Sequence, residues 1–373
     1  MKKFVSILFL LLFYCLSFAD TADTDLRKKI AQMIIIGFNG TELTQDNPVY
    51  EDIINENISG VILFSKNVVT DLINRKYTPK DMMTSPTQLK KLIKQIKKLS
   101  PNKLFVAIDE EGGQISRLPS SFGFNSETLS HKQLGDKNDT KLTYKQAKKI
   151  AEMLNDLGIN VNFAPCVDLS INKESPVIYK KERSFSDNPQ TVSKHAQAYI
   201  KAHNKYKILT VAKHFPGHGS AVGDSHKGFT DISSTWSQEE LKPYYYLNKK
   251  WLLNAVMTAH VYNESLDKDY PASLSEAVIS NILKKVVGFK GIVFSDDMQM
   301  KAITDNYSLE DSITAAINAG TDVLIFGNNL NYDKDIAKKF NDIVFNAVKE
   351  GKISKDRIED AYNKVIRTKS FLN

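Results

Sequence analysis

The chain has 373 residues and a formal charge of +7 at pH 7, with 42% apolar and 25% charged residues. These proportions are typical of a globular protein with a sizeable core, and the length fits one large domain or two ordinary ones. The sequence contains no zinc-finger spacing, RNA-binding aromatic signature or helix-turn-helix pattern, so we expect no nucleic-acid partner.

The N-terminus predicts a secretory signal peptide over residues 1–19. Met1-Lys2-Lys3 is basic, residues 4–18 are nearly all apolar, and the small residues Ser17 and Ala19 stand where a signal peptidase reads the chain. We expect cleavage after Ala19, a mature domain over residues 20–373, and export to the periplasm or the medium. The alternative is an uncleaved membrane anchor, although the apolar run is short for a span. After cleavage we expect no stable membrane span.

Removal of this segment changes the charge and the cysteine content. Lys2 and Lys3 would leave with it, so the charge of the mature chain would be two units lower, at +5. Such an excess favours an anionic polymer such as cell wall, or it reflects ordinary surface lysines. Cys15 would also be lost and only Cys166 kept, which excludes an intramolecular disulfide.

Eight short apolar runs along the mature chain predict buried strands, and longer amphipathic stretches lie between them. The strands are expected at Met33–Phe38, Gly60–Phe64, Leu104–Ile108, Asn160–Ala164, Ile208–Ala212, Ala255–Thr258, Gly291–Phe294 and Asp322–Phe326. Helix starts are predicted where a Ser or Thr is followed three residues later by Gln or an acid, at Ser85, Thr143, Ser273 and Ser308. Gly158 is expected to end the second of these helices.

Eight strands, each followed by a helix, predict an α/β fold with a closed (β/α)₈ TIM barrel in a single domain. No strand is followed by the glycine-rich fingerprint of a dinucleotide site, so we expect no cofactor. No stretch rich in Pro, Gly or Ser separates two domains.

Polar side chains follow the predicted strands where a barrel carries its active site, at the carboxyl ends. Acids, bases and cations occur past the third to seventh strands, and two arginines lie further along the connections. They include Asp109, Glu110, Glu111, Arg117, Asp168, Arg183, Lys213, His214, His260, Asp296 and Asp297. Because these groups come from separate parts of the sequence, their convergence predicts one catalytic rim.

The segment after the fifth strand, KHFPGHGSAVGDSHKGF, carries three histidines among glycines. Hydrolysis of a glycosidic bond with retention needs a carboxylate nucleophile and a group that first donates and then removes a proton. Asp296, at a strand tip, suits the nucleophile, whereas Asp297 points elsewhere by strand alternation. His226 is the candidate proton shuttle, because Asp224 can orient its imidazole and stabilise the charged form. The glycines would let this loop move over substrate.

Two of these features allow other interpretations. His214, His218, Asp224 and His226 are also the ligand types of a zinc cluster, although the adjoining Lys213 would repel a cation, and we expect no metal. His218, between two glycines, is also suited to bracing the loop alone.

Three further residues have structural interpretations. Glu110 and Glu111 need not both face the barrel centre, so they are candidates for structural roles. Cys166 has no activating partner in sequence and is expected to be a small core residue rather than a nucleophile.

The motifs KHFPGHG…DSH, IDEEGGQISRL, ERSFSDNP and FSDDM together resemble the β-N-acetylglucosaminidases of glycoside hydrolase family 3. The resemblance covers nearly all of the mature chain, with four motifs in the right order. It implies a (β/α)₈ barrel that removes terminal β-linked N-acetylglucosamine by a retaining double displacement. The family's usual substrates are peptidoglycan-derived muropeptides, and chito-oligosaccharides are the second substrate class that we expect. A monomer is expected.

The resemblance also assigns roles residue by residue. It implies that Asp296 is the nucleophile and that Asp224 and His226 form the acid/base dyad. The sugar-hydroxyl ligands that it implies are Asp109, Arg117, Arg183, Lys213 and His214.

The chain departs from the family pattern in three places. Glu110-Glu111 replaces a frequent Gln-Glu, and Gln114 stands where Arg is frequent, which affects fine specificity rather than the chemistry. The signal peptide differs from the many cytoplasmic members and suggests action on cell wall or extracellular chitin fragments. Two rival functions stay open, a β-N-acetylglucosaminide phosphorylase on the same scaffold and a non-catalytic wall-binding homologue.

Overall fold

The structure is a computed structural model that describes residues 21–70, 77–81, 83–100 and 102–372. The predicted signal peptide therefore lies outside the described residues. No helix in the described part of the chain is both long enough and apolar enough to cross a bilayer.

Nine parallel strands form the central sheet, and all are short and buried, apart from the half-buried last two residues of β8. They are β1 (Ile34–Gly37), β2 (Gly60–Leu63), β3 (Phe105–Ile108), β4 (Val161–Asn162), β5 (Leu209–Thr210), β6 (Ala212–Phe215), β7 (Ala255–Thr258), β8 (Ile292–Asp297) and β9 (Val323–Phe326). Their order in the sheet is β5-β4-β3-β2-β1-β9-β8-β7-β6. All eight predicted strands are confirmed, the fifth of them divided in two.

The barrel closes at this divided strand. Only Val211 separates β5 from β6, yet the two lie at opposite ends of the strand order. The N–H of Val167, in the segment after β4, donates to the carbonyl of Lys213 at 2.8 Å, and the N–H of Lys213 donates to the carbonyl of Pro165 at 3.2 Å. Backbone hydrogen bonds thus continue around the circle, which gives the predicted (β/α)₈ barrel.

Two strand boundaries differ from the prediction in a way that matters for the site. The fifth strand was expected to end at Ala212, but β6 continues to Phe215 and includes Lys213 and His214. The seventh was expected to end at Phe294, but β8 runs to Asp297. Both strands continue past their apolar residues into polar ones, so the apolar run alone places the strand end too early. An antiparallel hairpin, Lys66–Thr70 with Tyr77–Asp81, was not predicted.

Helices surround the sheet. A helical segment covers 21–31, and the remaining helices are Pro48–Glu51 with a π-helical continuation at Asp52–Glu56, Pro86–Leu99, His131–Lys137, Thr140–Leu157, Pro189–Asn204, Lys242–Lys249, the π-helical Ala277–Val286, Lys301–Thr304, Leu309–Ala319, Ile336–Lys349 and Lys355–Ser370. Short 3₁₀ turns lie at Ser120–Phe122, Gln238–Leu241 and Ala272–Leu274.

The capping predictions are partly confirmed. Ser85 and Ser308 cap their helices, each accepting the N–H three residues on, and Gly158 ends its helix in the left-handed conformation at φ 87°. The other two starts were wrong. Asp139 caps the helix predicted from Thr143, whose hydroxyl donates to the carbonyl of Asp139 from inside the first turn.

The other wrong start is at Ser273. Ser275 rather than Ser273 accepts the N–H of Val278, because Ser273 lies within the preceding 3₁₀ turn. In that turn its hydroxyl meets the His260 ring instead.

Alternate residues of the strands fill the barrel interior, which sets the direction of the site residues. Ile292 and Phe294 of β8 belong to the interior cluster, with Phe105 and Ala107 of β3, while Val293 packs outward against the helices. Because side chains alternate along a strand, the next inward positions toward the carboxyl end are 296 on β8 and 109 after β3. The same rule, from Leu209 and Val211, makes Lys213 inward-facing.

The last helix, Lys355–Ser370, closes the amino end of the barrel. Val365 and Leu372 pack against the interior cluster at this amino end. Lys369 Nζ lies 4.9 Å from the centre of the Phe105 ring, at the start of β3, and Lys103 Nζ donates to the carbonyl of Leu372 at 2.8 Å. The interior is therefore packed, and the opening for a substrate lies at the other end.

Candidate active site

A cavity of about 130 Å³ lies at the carboxyl ends of the strands. Seven of the eight residues predicted for the site line it, and the eighth, Asp224, is bonded to one of the seven. The seven are Asp109, Arg117, Arg183, Lys213, His214, His226 and Asp296. Apolar contacts come from Ile115, Val177 and Met257, and Lys181, His218 and Ser225 complete the lining.

Asp296 enters this cavity from β8, two positions beyond the buried ring of Phe294. Its Oδ1 accepts the N–H of Asp297 at 2.8 Å. Burial alone would raise the pKa of the Asp296 carboxyl, but three nearby imidazoles and this N–H lower it to about 2. The imidazoles belong to His260, His214 and His226. The carboxylate is therefore ionised at neutral pH, as a nucleophile must be.

Asp297 points away from the cavity, and it holds backbone in place. Its Oδ1 accepts the N–H of Gly327 and of Gln299, each at 3.0 Å. Its carbonyl accepts from Nε2 of His260 at 3.0 Å, so Nδ1 of that ring accepts the hydroxyl of Ser273 at 2.6 Å. Burial lowers the pKa of His260, which fits this neutral tautomer. His260 thus positions the backbone that carries Asp296.

Two buried cations are held by two carboxylates on the opposite wall. Arg183 makes a forked contact to Glu111, with Nε 3.2 and 3.1 Å from the two carboxylate oxygens and Nη2 2.7 Å from Oε1. Lys213 Nζ lies 2.9 Å from Glu111 Oε1 and 2.7 Å from Asp109 Oδ1. Arg117 Nη2 approaches the other oxygen of Asp109 at 3.8 Å. The forked geometry fixes the guanidinium plane.

These ion pairs set the charge states of the carboxyls. Burial alone would raise the pKa of Glu111, but Arg183 and Lys213 hold it well below its usual range. Burial opposes ionisation of Asp109 too, and Lys213 and Arg117 lower its pKa. Both acids therefore stay ionised, and the wall offers fixed N–H donors and carboxylate acceptors at hydrogen-bond distance from one another. Such alternating donors and acceptors match the hydroxyls of a sugar.

His214 is fixed in one tautomer by its two neighbours. Arg183 has only donors, so its Nη2 donates to Nε2 of His214 at 3.2 Å. The ring proton is then on Nδ1, which donates to Asp168 Oδ2 at 2.7 Å. His214 therefore supports the Arg183 guanidinium, in addition to lining the cavity.

Asp168, which the sequence analysis placed on the rim without a role, supports the site from behind. Its buried carboxylate accepts from the His214 ring, from the His214 N–H and, at 2.8 Å, from the N–H of His218. Burial would raise the pKa of Asp168, but its interactions with His214, followed by those with His218, lower it below the ordinary range. A signal was present, since Asp168 follows β4 in a PCVD segment, but nothing in sequence shows what it contacts.

The residues considered above as a possible zinc cluster do not come together in the structure. Among the described residues, the one group whose ligand atoms lie within 4.8 Å of one another is Cys166, Asp168 and His214, not His214, His218, Asp224 and His226. These three already bond to each other, with Cys166 Sγ 3.1 Å from Asp168 Oδ2.

The buried thiol of Cys166 is unreactive in this setting. Burial raises its pKa, and the neighbouring carboxylate of Asp168 raises it further. Cys166 is a core residue, as predicted.

The loop after β6 carries Asp224 and His226, the predicted acid/base pair. Asp224 Oδ1 accepts the N–H of His226 at 3.1 Å and meets its ring Nδ1 at 2.9 Å, which turns the chain and the imidazole together. Burial opposes ionisation of Asp224, yet the contacts with His226 lower its pKa. The ring is half exposed, with 51% of its side-chain surface open. Because Nδ1 faces Asp224, Nε2 remains to exchange protons with a substrate.

The base of this loop is rigid. His218 is buried, its N–H donates to Asp168, and its Nε2 lies 3.4 Å from the hydroxyl of Ser225. Burial lowers the pKa of His218 to about 4, so it is neutral. The N–H of Gly219 donates to Glu240 Oε2 at 2.8 Å, and a Cβ at Gly219 would lie 1.7 Å from the carbonyl oxygen of Leu169. His218 thus braces the loop while His226 stays exposed.

Glu110 has a structural environment. It is fully buried and accepts from the Ser116 hydroxyl at 3.0 Å and the Arg117 N–H at 2.9 Å. Burial raises its pKa to about 7. Glu110 therefore shapes the loop that brings Arg117 to the cavity, whereas Glu111 orients Arg183 and Lys213.

The comparisons with known proteins agree with this geometry. A family model described as the glycosyl hydrolase family 3 N terminal domain matches residues 25–368. The chain is 31% identical over 337 residues to beta-hexosaminidase A of Pseudoalteromonas piscicida, which covers 84% of this chain and 54% of that protein. It is 32% identical over 303 residues to the beta-hexosaminidase of Psychromonas ingrahamii, with 79% and 82% covered. The chain thus spans about half of the first relative and most of the second.

Solved structures show the same fold. A glycoside hydrolase family 3 beta-N-acetylglucosaminidase from Paenibacillus sp. superposes with a TM-score of 0.82 at 27% identity, covering 92% of this chain and 62% of that one. A glycosyl hydrolase of the same family from Mycobacterium smegmatis gives 0.76 at 27% identity, with 92% and 96% covered. The protein belongs to glycoside hydrolase family 3.

Proposed function

We propose that the protein is a retaining exo-β-N-acetylglucosaminidase that releases terminal β-linked N-acetylglucosamine from muropeptides or chito-oligosaccharides. The observation that carries the proposal is one small cavity that presents an ionised carboxylate, Asp296, and a half-exposed imidazole, His226, oriented by its own aspartate. The names of the relatives support the sugar, since the curated proteins above are beta-hexosaminidases.

In the first step, an Asp296 oxygen attacks the anomeric carbon while His226 Nε2 gives its proton to the departing glycosidic oxygen. Asp224 accepts from Nδ1 and stabilises the imidazolium before it gives up this proton. In the second step, the neutral imidazole takes a proton from water, and the water oxygen attacks the same carbon and releases Asp296. The buried cations and acids of the opposite wall hold the sugar hydroxyls, which places the anomeric carbon over Asp296.

The cavity favours release of a terminal sugar. It is small, and its floor is the packed interior under Met257 and Phe294. A chain of sugars therefore enters from the rim, with its terminal unit inside and the leaving group beside the loop that carries His226. We propose export to the periplasm or the medium, in line with the basic and apolar N-terminus.

The covalent step is tested by trapping. Incubation with a 5-fluoro N-acetylglucosaminyl fluoride is expected to leave a sugar adduct, and digestion followed by mass spectrometry should place it on Asp296. Asp296→Ala should abolish both the adduct and the release of p-nitrophenol from its N-acetylglucosaminide. Retained turnover in Asp296→Ala, or an adduct on another residue, would refute the assignment.

Substrate class and acceptor are tested together by product analysis. Purified muropeptides and chitobiose are each incubated with the enzyme, with and without inorganic phosphate. Free N-acetylglucosamine in both phosphate conditions supports the hydrolase. Phosphate-dependent formation of the sugar 1-phosphate would identify a phosphorylase, and no turnover of any substrate would leave a wall-binding homologue.

A further inference from the structure

A second groove lies at the amino ends of the strands, at the opposite end of the barrel from Asp296. Its volume is about 870 Å³, against about 130 Å³ for the candidate active site. It is lined by Leu209 at the start of β5, Asn254 before β7 and Gly291 before β8. No residue of the candidate active site contributes to it.

The groove is apolar inside and carries two exposed aromatic rings. Ile208, Leu253 and Leu372 are buried in its floor. Trp251 and Phe371 line it with 89% and 70% of their surface exposed. Exposed rings gathered beside an apolar groove are typical of an interaction surface.

Trp251 is also held in an unfavourable backbone conformation. Its φ is 56°, in the left-handed region where bulky side chains are outliers. The position follows the helix Lys242–Lys249, where Gly or Asn would complete the turn without strain. A strained, almost fully exposed tryptophan adds nothing to the core, which points to a role for the ring at the surface.

The rim of the groove is positively charged. Lys207, Lys249, Lys290 and Arg367 line it and are exposed, and none of them forms an ion pair within the described part of the chain. No carboxylate of the described residues contributes to the lining. The groove thus combines exposed aromatic rings with cations that have no carboxylate partner among the described residues.

The positive charge of the rim favours one kind of binding partner over the others. A second copy of the chain would bring the same cations face to face across a two-fold axis. The N-terminal segment begins with Lys2 and Lys3 and would be repelled in the same way. An anionic partner is required, and tryptophan with lysine and arginine is the combination that proteins place at the interface of anionic bilayers.

We propose that this end of the barrel binds a membrane surface that contains anionic phospholipids. The cations lie over the headgroups, and the Trp251 and Phe371 rings enter the interfacial layer. Because the groove and the cavity are at opposite ends of the barrel, the bound enzyme holds its active site away from the bilayer. The inference does not depend on which sugar the enzyme hydrolyses.

Vesicle sedimentation of the chain 20–373 tests the surface. We expect binding to phosphatidylglycerol–phosphatidylcholine vesicles at low salt, little binding to pure phosphatidylcholine, and loss of binding at high salt. Lys249→Glu/Lys290→Glu and, separately, Trp251→Asn should each weaken binding by about tenfold or more. The matched control is Lys91→Glu/Lys94→Glu, which makes the same charge change on the exposed face of the helix Pro86–Leu99 and should bind as the wild type does.

Two further readouts separate the outcomes. Brominated lipids should quench wild-type tryptophan fluorescence and leave Trp251→Asn, which keeps Trp236, unquenched. Circular dichroism of every variant should be unchanged, which shows folding independently of the proposed enzymatic activity. Equal weakening by the control pair, unchanged binding of the groove variants, or binding only to insoluble peptidoglycan or to an anionic polysaccharide would overturn the proposal.

Discussion

The ring Nδ1 of His214, in β6, donates a 2.7 Å hydrogen bond to Oδ2 of Asp168, which follows β4. Asp168 lies behind the cavity wall and affects the residues of that wall through His214. Asp168 sets the tautomer of His214, and that tautomer presents Nε2 to Arg183. Arg183 in turn holds Glu111, so this wall of the cavity depends on a carboxylate that does not line it.

Asp168→Asn tests this dependence. The backbone N–H groups of His214 and His218 donate to Oδ1 and the His214 ring donates to Oδ2, so an amide donor at either position must lose at least one of these contacts. We expect kcat/KM to fall by roughly 10- to 100-fold. Steady-state kinetics measures the loss, and a wild-type rate in a folded variant would show that the His214 tautomer has no effect on the reaction.

The same variant has a pH signature. The pKa of Asp168 is lower in the folded chain than in the unfolded one, so its stabilising contribution is present above about pH 4 and is lost as the pH falls toward the folded value. Wild-type stability should therefore fall more steeply than that of Asp168→Asn between about pH 5 and pH 3. Urea unfolding at several pH values measures the two slopes, and parallel slopes would contradict the assignment.

Glu111→Gln and Glu110→Gln form a matched pair, because adjacent buried glutamates have opposite environments. Glu111→Gln leaves two buried cations, Arg183 and Lys213, without their shared carboxylate. We expect a loss of about 3–5 kcal/mol in the free energy of unfolding and a higher KM. Glu110→Gln keeps an acceptor for Ser116 and the Arg117 N–H and should cost much less.

Glu110 also predicts a pH dependence of the opposite sign. Its folded pKa of about 7 lies above the unfolded value, so the folded chain binds more protons between these values and wild-type stability falls as pH rises through them. Glu110→Gln should therefore gain stability relative to the wild type from about pH 5 to pH 8. Thermal unfolding at both pH values measures the difference, and a constant difference would contradict a buried, protonated Glu110.

His226→Ala should separate proton transfer from binding. A sugar leaving group needs the proton, so we expect kcat/KM on chitobiose to fall by about 10²–10⁴-fold. A dinitrophenyl leaving group needs little help, and its first step should be nearly unaffected. Because His226 is half exposed, stability should not change. Lys227→Gln, at the exposed neighbouring position, is the control and should keep wild-type kinetics on both substrates. Equal losses on both leaving groups in His226→Ala would argue for a binding role instead.

Gly219→Ala tests the rigid base of the loop. The new Cβ would lie 1.7 Å from the carbonyl oxygen of Leu169, so the backbone must move and the bond to Glu240 must weaken. We expect kcat to fall with little loss of overall secondary structure. In the same loop, Gly223→Ala meets Thr230 Oγ1 only at 3.1 Å and should be tolerated far better. Similar kinetics for the two variants would show that the loop base is not fixed by Gly219.

Much of this architecture was predictable because it depends on local patterns. Apolar runs located all eight strands, and strand alternation set the inward direction of Asp296 from that of Phe294. The helix caps Ser85 and Ser308 were predictable too, because each cap bonds to a residue only three positions away. The ends of β6 and β8 were not, because Lys213 and Asp297 look like loop residues until their partners are known.

The support of the site was not predictable, since it rests on contacts between distant positions. Arg183 and Glu111 are 72 residues apart, and nothing near either residue indicates a forked pair. The roles of Asp168 and His260 likewise come from partners on other strands. The bond between Asp224 and His226 spans two residues, which is why that pair was visible in the sequence alone.

Asp296 and His226 are carried by different kinds of element, a barrel strand and a loop, and this affects how the two can change in evolution. Asp296 is carried by a strand whose preceding side chains fill the barrel, so its position cannot shift without repacking the interior. His226 is carried by a loop that is held from outside the barrel interior, by Asp168 and Glu240 at its base and by Tyr262 further along. Grafting that segment from a relative would therefore alter the accepted aglycone and the pH optimum while the sugar specificity is inherited unchanged from the scaffold.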